Sequence, residues 1–254
     1  MLDKKSEQLR RTIVQTVVAG GRGHIGPAGS LVELLRVIYD SWLRFDVNDP
    51  KWPSRDRFIL SKGHASVALY VVLEKFGFIS QKDLDEYGKF NAILGGHPDS
   101  TKIPGVEAST GSLGHGLPYA VGIALGQKIK KRSNKVYVLV GDGECHEGTI
   151  WESALVAQNL NLGNLCVIVD LNGSAAQILP HPNIKRQWKA FGWNVSEADG
   201  HNERELDSAF NTFKIDETDK PTVIVAHTVK GKGVSFMENG VKWHHSVPTE
   251  KEIE

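Results

Sequence analysis

Short apolar runs alternate with stretches of helical periodicity along this chain. Runs rich in β-branched or other apolar residues predict strands at 58–60, 135–140, 165–169, 194–195 and 222–226. Apolar residues spaced three and four apart predict helices at 6–19, 31–43, 65–76, 117–131, 149–160 and 203–213. Strands that alternate with helices indicate an α/β fold, a doubly wound and mostly parallel sheet with helices on both faces.

Two stretches rich in glycine and proline interrupt this pattern. The segment GGRGHIGPAGS, residues 20–30, is expected to break the first helical run, and residues 95–116 show little regular pattern. Loops this long in a compact domain are usually functional or disordered. No repeat, low-complexity tract or linker divides the chain, so we expect a single domain over residues 1–254.

Composition excludes some classes of function. The 30 basic and 30 acidic residues balance, and no stripe of Lys and Arg appears, so we expect no nucleic-acid partner. No apolar run approaches the roughly 20 residues that cross a membrane. The charged start, MLDKKSEQLRR, lacks the apolar core of a signal peptide. We therefore expect a cytoplasmic protein without a membrane partner, and we expect Cys166, inside an apolar run, to be buried.

Polar residues follow two consecutive predicted strands in the segment GDGECHEGTIWESALVAQNLNLGNLCVIVDLN, residues 141–172. Asp142 follows the first strand and Asn172 the second, and parallel neighbours end at the same sheet edge. The glycines let backbone N–H groups approach a phosphate, and the helix N-terminus favours an anion. Carboxylate, amide and backbone carbonyl oxygens suit Mg²⁺ together with phosphates. The spacing predicts a Mg²⁺–diphosphate clamp, although a glycine-flanked aspartate alone is also common in ordinary turns.

This segment resembles the thiamine diphosphate motif, and further segments resemble transketolase in the same order. They are GRGHIGPAG, DRFILSKGHAS, GGHPDSTKIPGVEASTGSLGHGLPYAVGIA and KGKGVSFMENGVKWHH. The similarity runs from about residue 20 to residue 245 and covers only the amino-terminal half of a full-length transketolase. The resemblance implies the diphosphate-binding type of thiamine diphosphate fold, in the N-terminal subunit of a split transketolase.

The resemblance also implies roles for individual residues. It assigns Mg²⁺ to Asp142, Asn172 and the backbone carbonyl of Ser174. It assigns cofactor contacts to His64, Gly111, Ser112, Leu113, Gly141, Gly143, Glu147, Glu152 and Asn172. In the family the two glutamates help to join the halves of the active site, but each could instead be an ordinary first-turn helix residue.

Three histidines, His24, His97 and His244, match the histidines on the substrate side of the family's site. A side chain that titrates near neutrality can act there as base, acid or hydrogen-bond donor. The chain departs from the family at His115, where transketolases usually have Gln, and at His245, where they often have Gly. The loop at 173–183 is small and polar where the family usually has an acidic residue and a glycine. The conformation of this loop and the roles of these two histidines stay open.

The resemblance implies an enzyme that moves a two-carbon ketol unit from a ketose to an aldose, with thiamine diphosphate and Mg²⁺ as cofactors. No segment here resembles the pyrimidine-binding domain, which in transketolases supplies the glutamate that activates the cofactor. The expected partner is therefore a C-terminal transketolase subunit, carrying the pyrimidine-binding and C-terminal domains. Because closed twofold assemblies dominate, an α2β2 heterotetramer is the expected form.

The substrate and two other kinds of function stay open at this point. The sugar could be a pentose phosphate, apulose phosphate or a sulfosugar. The chain could instead be the α subunit of a 2-oxo acid dehydrogenase or a 1-deoxyxylulose phosphate synthase-like chain. It could also be a non-catalytic scaffold, although a scaffold would not need Asp142, Asn172 and the histidine set.

Overall fold

A parallel β-sheet forms the centre of the computed structural model, which describes residues 3–180 and 183–253. Its strands are β1 Arg57–Leu60, β2 Val136–Gly141, β3 Leu165–Leu171, β4 Asn194–Asp199 and β5 Thr222–His227. Their order is β1-β2-β3-β5-β4, and every neighbouring pair is parallel. This arrangement confirms the α/β fold that the sequence predicts.

Helices surround the sheet in the described part of the chain. They are α1 Lys4–Gly20, α2 Ile25–Gly29, α3 Val32–Val37, α4 Ser66–Lys75, α5 Gln81–Asp85, α6 Gly116–Ile129, α7 Gly148–Asn159, α8 Ile184–Ala190, α9 Glu203–Ile215 and α10 Glu250–Ile253. Among the residues described, no helix is both long enough and apolar enough to cross a membrane.

Alternate residues of the central strands enter two different hydrophobic cores. Tyr137 and Leu139 of β2 pack in one core with Phe210 of α9. Val138 and Val140 pack in the other, which contains Trp188 of α8. Side chains alternate across a strand, so both faces of the sheet are buried and uniformly apolar strands result. The prediction of helices on both faces is confirmed.

The pairing of β2 with β3 sets up the functional edge of the sheet. The register runs from Val136 opposite Leu165 to Gly141 opposite Asp170. The two strands therefore end side by side, as the sequence predicts. The residues that follow them begin their loops at neighbouring points of the carboxyl edge.

The structure differs from the sequence prediction in the glycine-rich segment and in short helices. The segment predicted to interrupt helix contains α2. There, a Cβ on Gly26 would lie only 2.6 Å from the carbonyl oxygen of Trp243. The first helix does end at this segment, as predicted, because α1 stops at Gly20 and Gly21 takes the left-handed conformation. The later glycines allow close backbone packing around α2. The predicted helix at 31–43 comprises α3 followed by a π-helical turn, Ile38–Trp42. The sequence prediction also missed α5, α8 and α10.

Candidate functional site

A cavity of about 440 Å³ opens at the carboxyl edge of β2 and β3. It brings together many of the residues singled out from the sequence. Those that line it are His64, Leu113, Gly141, Asp142, Gly143, Asn172, Ser174 and His244. The remaining candidates lie around it or on a neighbouring surface.

The turn after β2 and the loop after β3 place the oxygen ligands predicted for the metal in one corner of this cavity. The backbone N–H of Asp142 donates to the carbonyl of Asp170 over 3.1 Å, which fixes the turn against the end of β3. The Asp142 carboxylate accepts from the N–H of Gly143 at 2.8 Å and from that of Ala175 at 3.4 Å. Burial, followed by repulsion from the Asp170 carboxylate, raises the pKa of Asp142. A cation bound beside this carboxylate would offset both effects.

Hydrogen bonds orient Asn172 within the same corner. Its Oδ1 accepts from the N–H of Ser174 at 3.0 Å, and its Nδ2 donates to Asp170 at 2.9 Å. The orientation of the amide is thereby settled, because Nδ2 faces a carboxylate and Oδ1 an N–H. The side-chain oxygen of Asn172 is thus held on the side of the Ser174 backbone.

Two lysines that the sequence interpretation did not single out also line the cavity. Lys62 donates to the buried carboxylate of Asp170 at 2.5 Å. Burial alone would raise the pKa of Asp170, but the Lys62 ammonium and several hydrogen bonds hold it below its usual range. Lys230 lies 3.0 Å from Nδ1 of His244, and burial lowers the pKa of Lys230. Lys62 lies in the motif SKGH and Lys230 in the motif KGKG. Both motifs belong to segments that resemble the transketolase family, so the sequence did contain a signal for these two lysines.

The predicted histidines lie together beside the cavity. The ring of His24 is 5.2 Å from that of His64, 5.4 Å from that of His244 and 6.5 Å from that of His97, measured between centroids. The rings of His64 and His244 are 5.3 Å apart. His245 also joins this group, with its ring 4.5 Å from that of His24. Segments far apart in sequence therefore build one imidazole cluster.

The environment of His24, His64, His97 and His244 favours the neutral imidazole. Burial, with smaller effects of neighbouring charged or histidine side chains, lowers the pKa of His24 and of His244 to about 4. The same causes, with Lys62 as the leading charge, lower the pKa of His64 to about 2. Burial and the Arg22 charge also lower the pKa of His97. Neutral imidazoles can accept a proton from a hydroxyl or donate a hydrogen bond to one.

The loop before α6 supports this cluster from one side. Gly111 lies against the His97 ring, and a Cβ on Gly111 would be 3.3 Å from the His97 Cδ2. Leu113 reaches the cavity, whereas Ser112 is exposed beside it. His115 is exposed, with its Nδ1 3.1 Å from the carbonyl of Leu113, and it is not part of the cavity lining.

Glu147 and Glu152 are both exposed at the start of α7 and lie outside the cavity lining. Glu147 immediately precedes α7, and its Cβ would lie 2.8 Å from a Cβ placed on Gly114. His146, the residue before Glu147, does line the cavity, so Glu147 lies next to its rim. They belong to a surface beside the site.

A third glutamate, Glu144, connects the loops of the site but was missed in the sequence. It is buried, and its carboxylate accepts from the Ser61 hydroxyl at 2.6 Å, the Gly114 N–H at 2.8 Å and the Gly141 N–H at 2.9 Å. Burial raises the pKa of Glu144, and these hydrogen bonds act in the opposite direction. Its donors come from three separate segments, so only the folded chain shows this contact.

Replacing Glu144 with alanine is expected to lower the free energy of unfolding by about 2–4 kcal/mol, because the three donors lose their acceptor in a buried setting. Glu144→Gln should also destabilise, since its NH₂ group must face a backbone N–H. Urea unfolding measures both effects. The exposed Glu217 provides the control, and Glu217→Ala should change stability by less than about 0.5 kcal/mol. Equal stabilities of the two alanine variants would contradict the role of Glu144.

Comparison with known proteins relates the whole described fold to one family. Residues 3–254 match the family described as "Transketolase, thiamine diphosphate binding domain". The chain is 43% identical to an apulose-4-phosphate transketolase subunit of Phocaeicola vulgatus, over 100% of this chain and 91% of that protein. It is 36% identical to a 6-deoxy-6-sulfo-D-fructose transketolase subunit of a Clostridium species, over 98% of this chain and 92% of that protein.

A solved structure shows the same relationship in three dimensions. The crystal structure of transketolase from Campylobacter jejuni matches with a TM-score of 0.93 and 31% sequence identity. The match covers 98% of this chain but only 41% of that protein. The chain thus spans about two fifths of a full-length relative and nearly the whole of the relatives named as subunits.

Proposed function

The chain belongs to the transketolase family, and from this premise we propose that it is the diphosphate- and Mg²⁺-binding subunit of a split transketolase. The complete enzyme would move a two-carbon ketol unit from a ketose to an aldose. One observation carries the proposal, namely that the cavity at the sheet edge joins Asp142, Asn172 and Ser174 to His64 and His244. Oxygen atoms of the kind that bind Mg²⁺ and neutral imidazoles thus line the same cavity.

The metal corner fits Mg²⁺ better than a transition metal. Asp142, Asn172 and the backbone carbonyl of Ser174 would supply a carboxylate, an amide and a peptide oxygen, the ligand types that Mg²⁺ takes together with phosphate oxygens. Within residues 3–180 and 183–253, no cluster of three or more His, Cys, Asp or Glu side chains is placed to hold a metal. A softer metal would prefer nitrogen and sulfur ligands, those of His and Cys.

The cavity also fits a diphosphate. A Cβ on Gly143 would meet nothing within 4 Å, so the backbone there leaves room for an anionic group. Lys62, Lys230 and His64 line the same cavity and would supply positive charge and hydrogen-bond donors. Gly111, Ser112, Leu113 and Gly141 would complete the cofactor contacts. When bound, thiamine diphosphate would supply the nucleophilic carbon that attacks the ketose carbonyl.

The histidines would handle the protons of the sugar. Breaking the bond between the second and third carbons of the ketose requires a proton to leave the third-carbon hydroxyl. The lowered pKa values of His24, His97 and His244 favour the neutral imidazole, which has a ring nitrogen free to accept such a proton. An imidazole that has taken up a proton can then return it to the product.

The proposed partner is a C-terminal transketolase subunit in an α2β2 heterotetramer, with residues 1–254 forming one domain of each α chain. Two relatives named as subunits support a separate partner, since this chain covers 91% and 92% of them. The exposed glutamates Glu147 and Glu152 would meet the partner's half of the cofactor site. The proposed substrate is a phosphorylated or sulfonated sugar, because those relatives are named for apulose 4-phosphate and a sulfofructose.

The function is tested with the co-purified complex of this chain and its partner, supplied with thiamine diphosphate and Mg²⁺. Incubation with a phosphorylated ketose and an aldose should give a ketose longer than the acceptor by two carbons, detected by mass spectrometry. Decarboxylation of a 2-oxo acid without such a product would favour the dehydrogenase alternative. Absence of both reactions in a correctly assembled complex would favour a scaffold.

Two histidine variants should separate cofactor binding from sugar chemistry. His64→Ala should weaken thiamine diphosphate binding, because His64 lines the cavity beside Lys62. His97 does not line the cavity, so His97→Ala should leave cofactor affinity intact. It should lower kcat/KM for the donor by roughly 10²–10⁴-fold. Cofactor titration and steady-state kinetics of the complex measure the two effects. His227→Ala serves as the control, because His227 is exposed and paired with Glu197. Full ketol transfer by His97→Ala would contradict the substrate role of His97.

A further inference from the structure

An arginine lies at the outer end of the histidine cluster. Arg22 precedes His24 by two positions, and its side chain runs over Gly88 towards Gly96, the residue before His97. A Cβ on Gly88 would lie 3.1 Å from the Arg22 Cδ, and one on Gly96 would lie 3.4 Å from its Nη2. Gly88 has a φ of 74°, which disfavours any other residue there. A groove of two glycines therefore holds the guanidinium beside the histidines.

The charge of Arg22 has no acidic counterpart nearby. Within the described ranges, no carboxylate lies within 4 Å of Arg22, whereas the arginines Arg10, Arg36 and Arg55 each pair with a glutamate. The electrostatic influence of Arg22 falls instead on neighbouring neutral groups, among them His97. Arg22 is also exposed, so its guanidinium edges remain open to a ligand.

The order of the imidazoles shows which part of a ligand would meet this arginine. His64 and His244 line the cavity, and their rings lie 5.2 and 5.4 Å from that of His24. The ring of His97 lies 6.5 Å from that of His24, and Arg22 lies against Gly96, the neighbour of His97; neither His97 nor Arg22 lines the cavity. A sugar whose reacting end enters the cavity and whose chain leaves it along His24 and His97 would bring its far end to Arg22.

We propose that Arg22 is a specificity-determining residue that binds the anionic group at the far end of the sugar, a phosphate or a sulfonate. The inference rests on the proposed function and adds an anion contact supplied by this chain. A guanidinium can give two parallel hydrogen bonds to phosphate or sulfonate oxygens, and the neutral histidines beside it offer no competing charge. An uncharged sugar of similar shape would gain nothing from this contact.

The test compares Arg22→Ala and Arg22→Lys with the wild-type chain, each in complex with the partner. Donors are xylulose 5-phosphate, 6-deoxy-6-sulfofructose and the uncharged ketose erythrulose. For Arg22→Ala, the KM of at least one charged donor should rise roughly 10- to 100-fold, while the KM of erythrulose stays unchanged. Arg22→Lys should recover part of the loss, because it keeps the charge but not the paired geometry. Whether the phosphate or the sulfonate donor responds identifies the natural anion.

Arg11 provides the matched control, an exposed arginine on α1 paired with Glu7. Arg11→Ala should leave all three KM values unchanged, and thermal unfolding should show that both alanine variants remain folded. Equal changes for charged and uncharged donors, or no change for either charged donor, would overturn the inference while leaving ketol transfer in place. A wild-type complex that transfers no ketol unit would overturn the proposed function, and the role of Arg22 with it.

Discussion

Replacing Asp142 with alanine is expected to abolish the Mg²⁺-dependent binding of thiamine diphosphate to the assembled enzyme. Asp142 provides the only carboxylate among the three proposed ligands, the others being the amide of Asn172 and the backbone carbonyl of Ser174. Without it, a divalent ion would hold the diphosphate with neutral protein oxygens alone. Residues that only orient metal ligands contribute roughly 10–100-fold to affinity, so loss of the ligand itself should exceed about 100-fold.

Calorimetry of the complex with thiamine diphosphate, in Mg²⁺ and in EDTA, measures this effect. The wild-type complex should bind tightly only with Mg²⁺, and the variant should bind weakly in both conditions. Asp85→Ala, which removes an exposed carboxylate of α5, should bind as the wild type does. Burial and the Asp170 carboxylate raise the pKa of Asp142, so the ionised Asp142 carboxylate is unfavourable in the folded chain without a cation. Removing this carboxylate should therefore not unfold the cofactor-free chain. Unchanged affinity of the Asp142 variant would disprove the ligand assignment.

The sequence predicts the central sheet well because burial on both faces leaves a clear signal. β2 and β3 are apolar over nearly their whole length, and their predicted bounds lie within two residues of the observed ones. β4 was predicted only at 194–195, although it extends to Asp199. Its sequence, NVSEAD, is largely polar because this strand lies at the sheet edge and, within the part of the chain that the structure describes, pairs only with β5. The extension to Asp199 comes from pairing, which local sequence does not record.

The same distinction explains which parts of the site could be predicted. Asp142 and Asn172 follow strands that are neighbours both in the chain and in the sheet, so strand order alone brings them together. Glu144 takes its hydrogen bonds from Ser61, 83 positions away, and from Gly114, 30 positions away. No periodicity relates those segments. The loop at 173–183 is described only in part, since residues 181 and 182 lie outside the described residues.

The position of the predicted glutamates also needed the folded chain. The motif resemblance assigns Glu147 and Glu152 to the joint between the two halves of the cofactor site, and that assignment stays a prediction. In this chain both are exposed outside the cavity lining. A short-range motif fixes the spacing along α7, and the direction in which each side chain points depends on the packing of that helix. Glu147 precedes α7, and Glu152 lies three and four positions before Leu155 and Val156, two exposed apolar residues of the same helix.

Helices α6 and α7 pack against each other and expose apolar side chains. Leu155 and Val156 of α7 are 52% and 46% exposed, and Tyr119 of α6 is 55% exposed. Gly122 and Gly126 lie three and seven positions after Tyr119 on α6, and a Cβ on either would meet nothing within 4 Å. Exposed apolar side chains next to such open glycine positions are typical of an interface that another chain covers. We propose this surface, beside Glu147 and Glu152, as the face that meets the partner.

Leu155→Glu should weaken association with the partner because it would place a charge in that apolar interface. The comparable control is Ile215→Glu, since Ile215 is 67% exposed on α9, away from α6 and α7. Sedimentation analysis of chain and partner mixtures measures the association. Equal association of the two variants would place the partner on another surface.

The purified chain alone, with Mg²⁺ and thiamine diphosphate, is expected to show no ketol transfer, and addition of the partner should restore it. The described cavity supplies oxygen ligands, lysines and histidines for the diphosphate and the sugar. The glutamate that activates the pyrimidine in transketolases belongs to the pyrimidine-binding domain, and the match to the Campylobacter enzyme covers only 41% of that protein. In the complex, that carboxylate from the partner would promote loss of the proton from the reacting carbon of the cofactor, and the chain alone would lack it. Activity is therefore expected to follow the concentration of the complex, with Leu155→Glu requiring more partner than Ile215→Glu for the same rate. Full activity from the chain without a partner would refute the split-enzyme proposal.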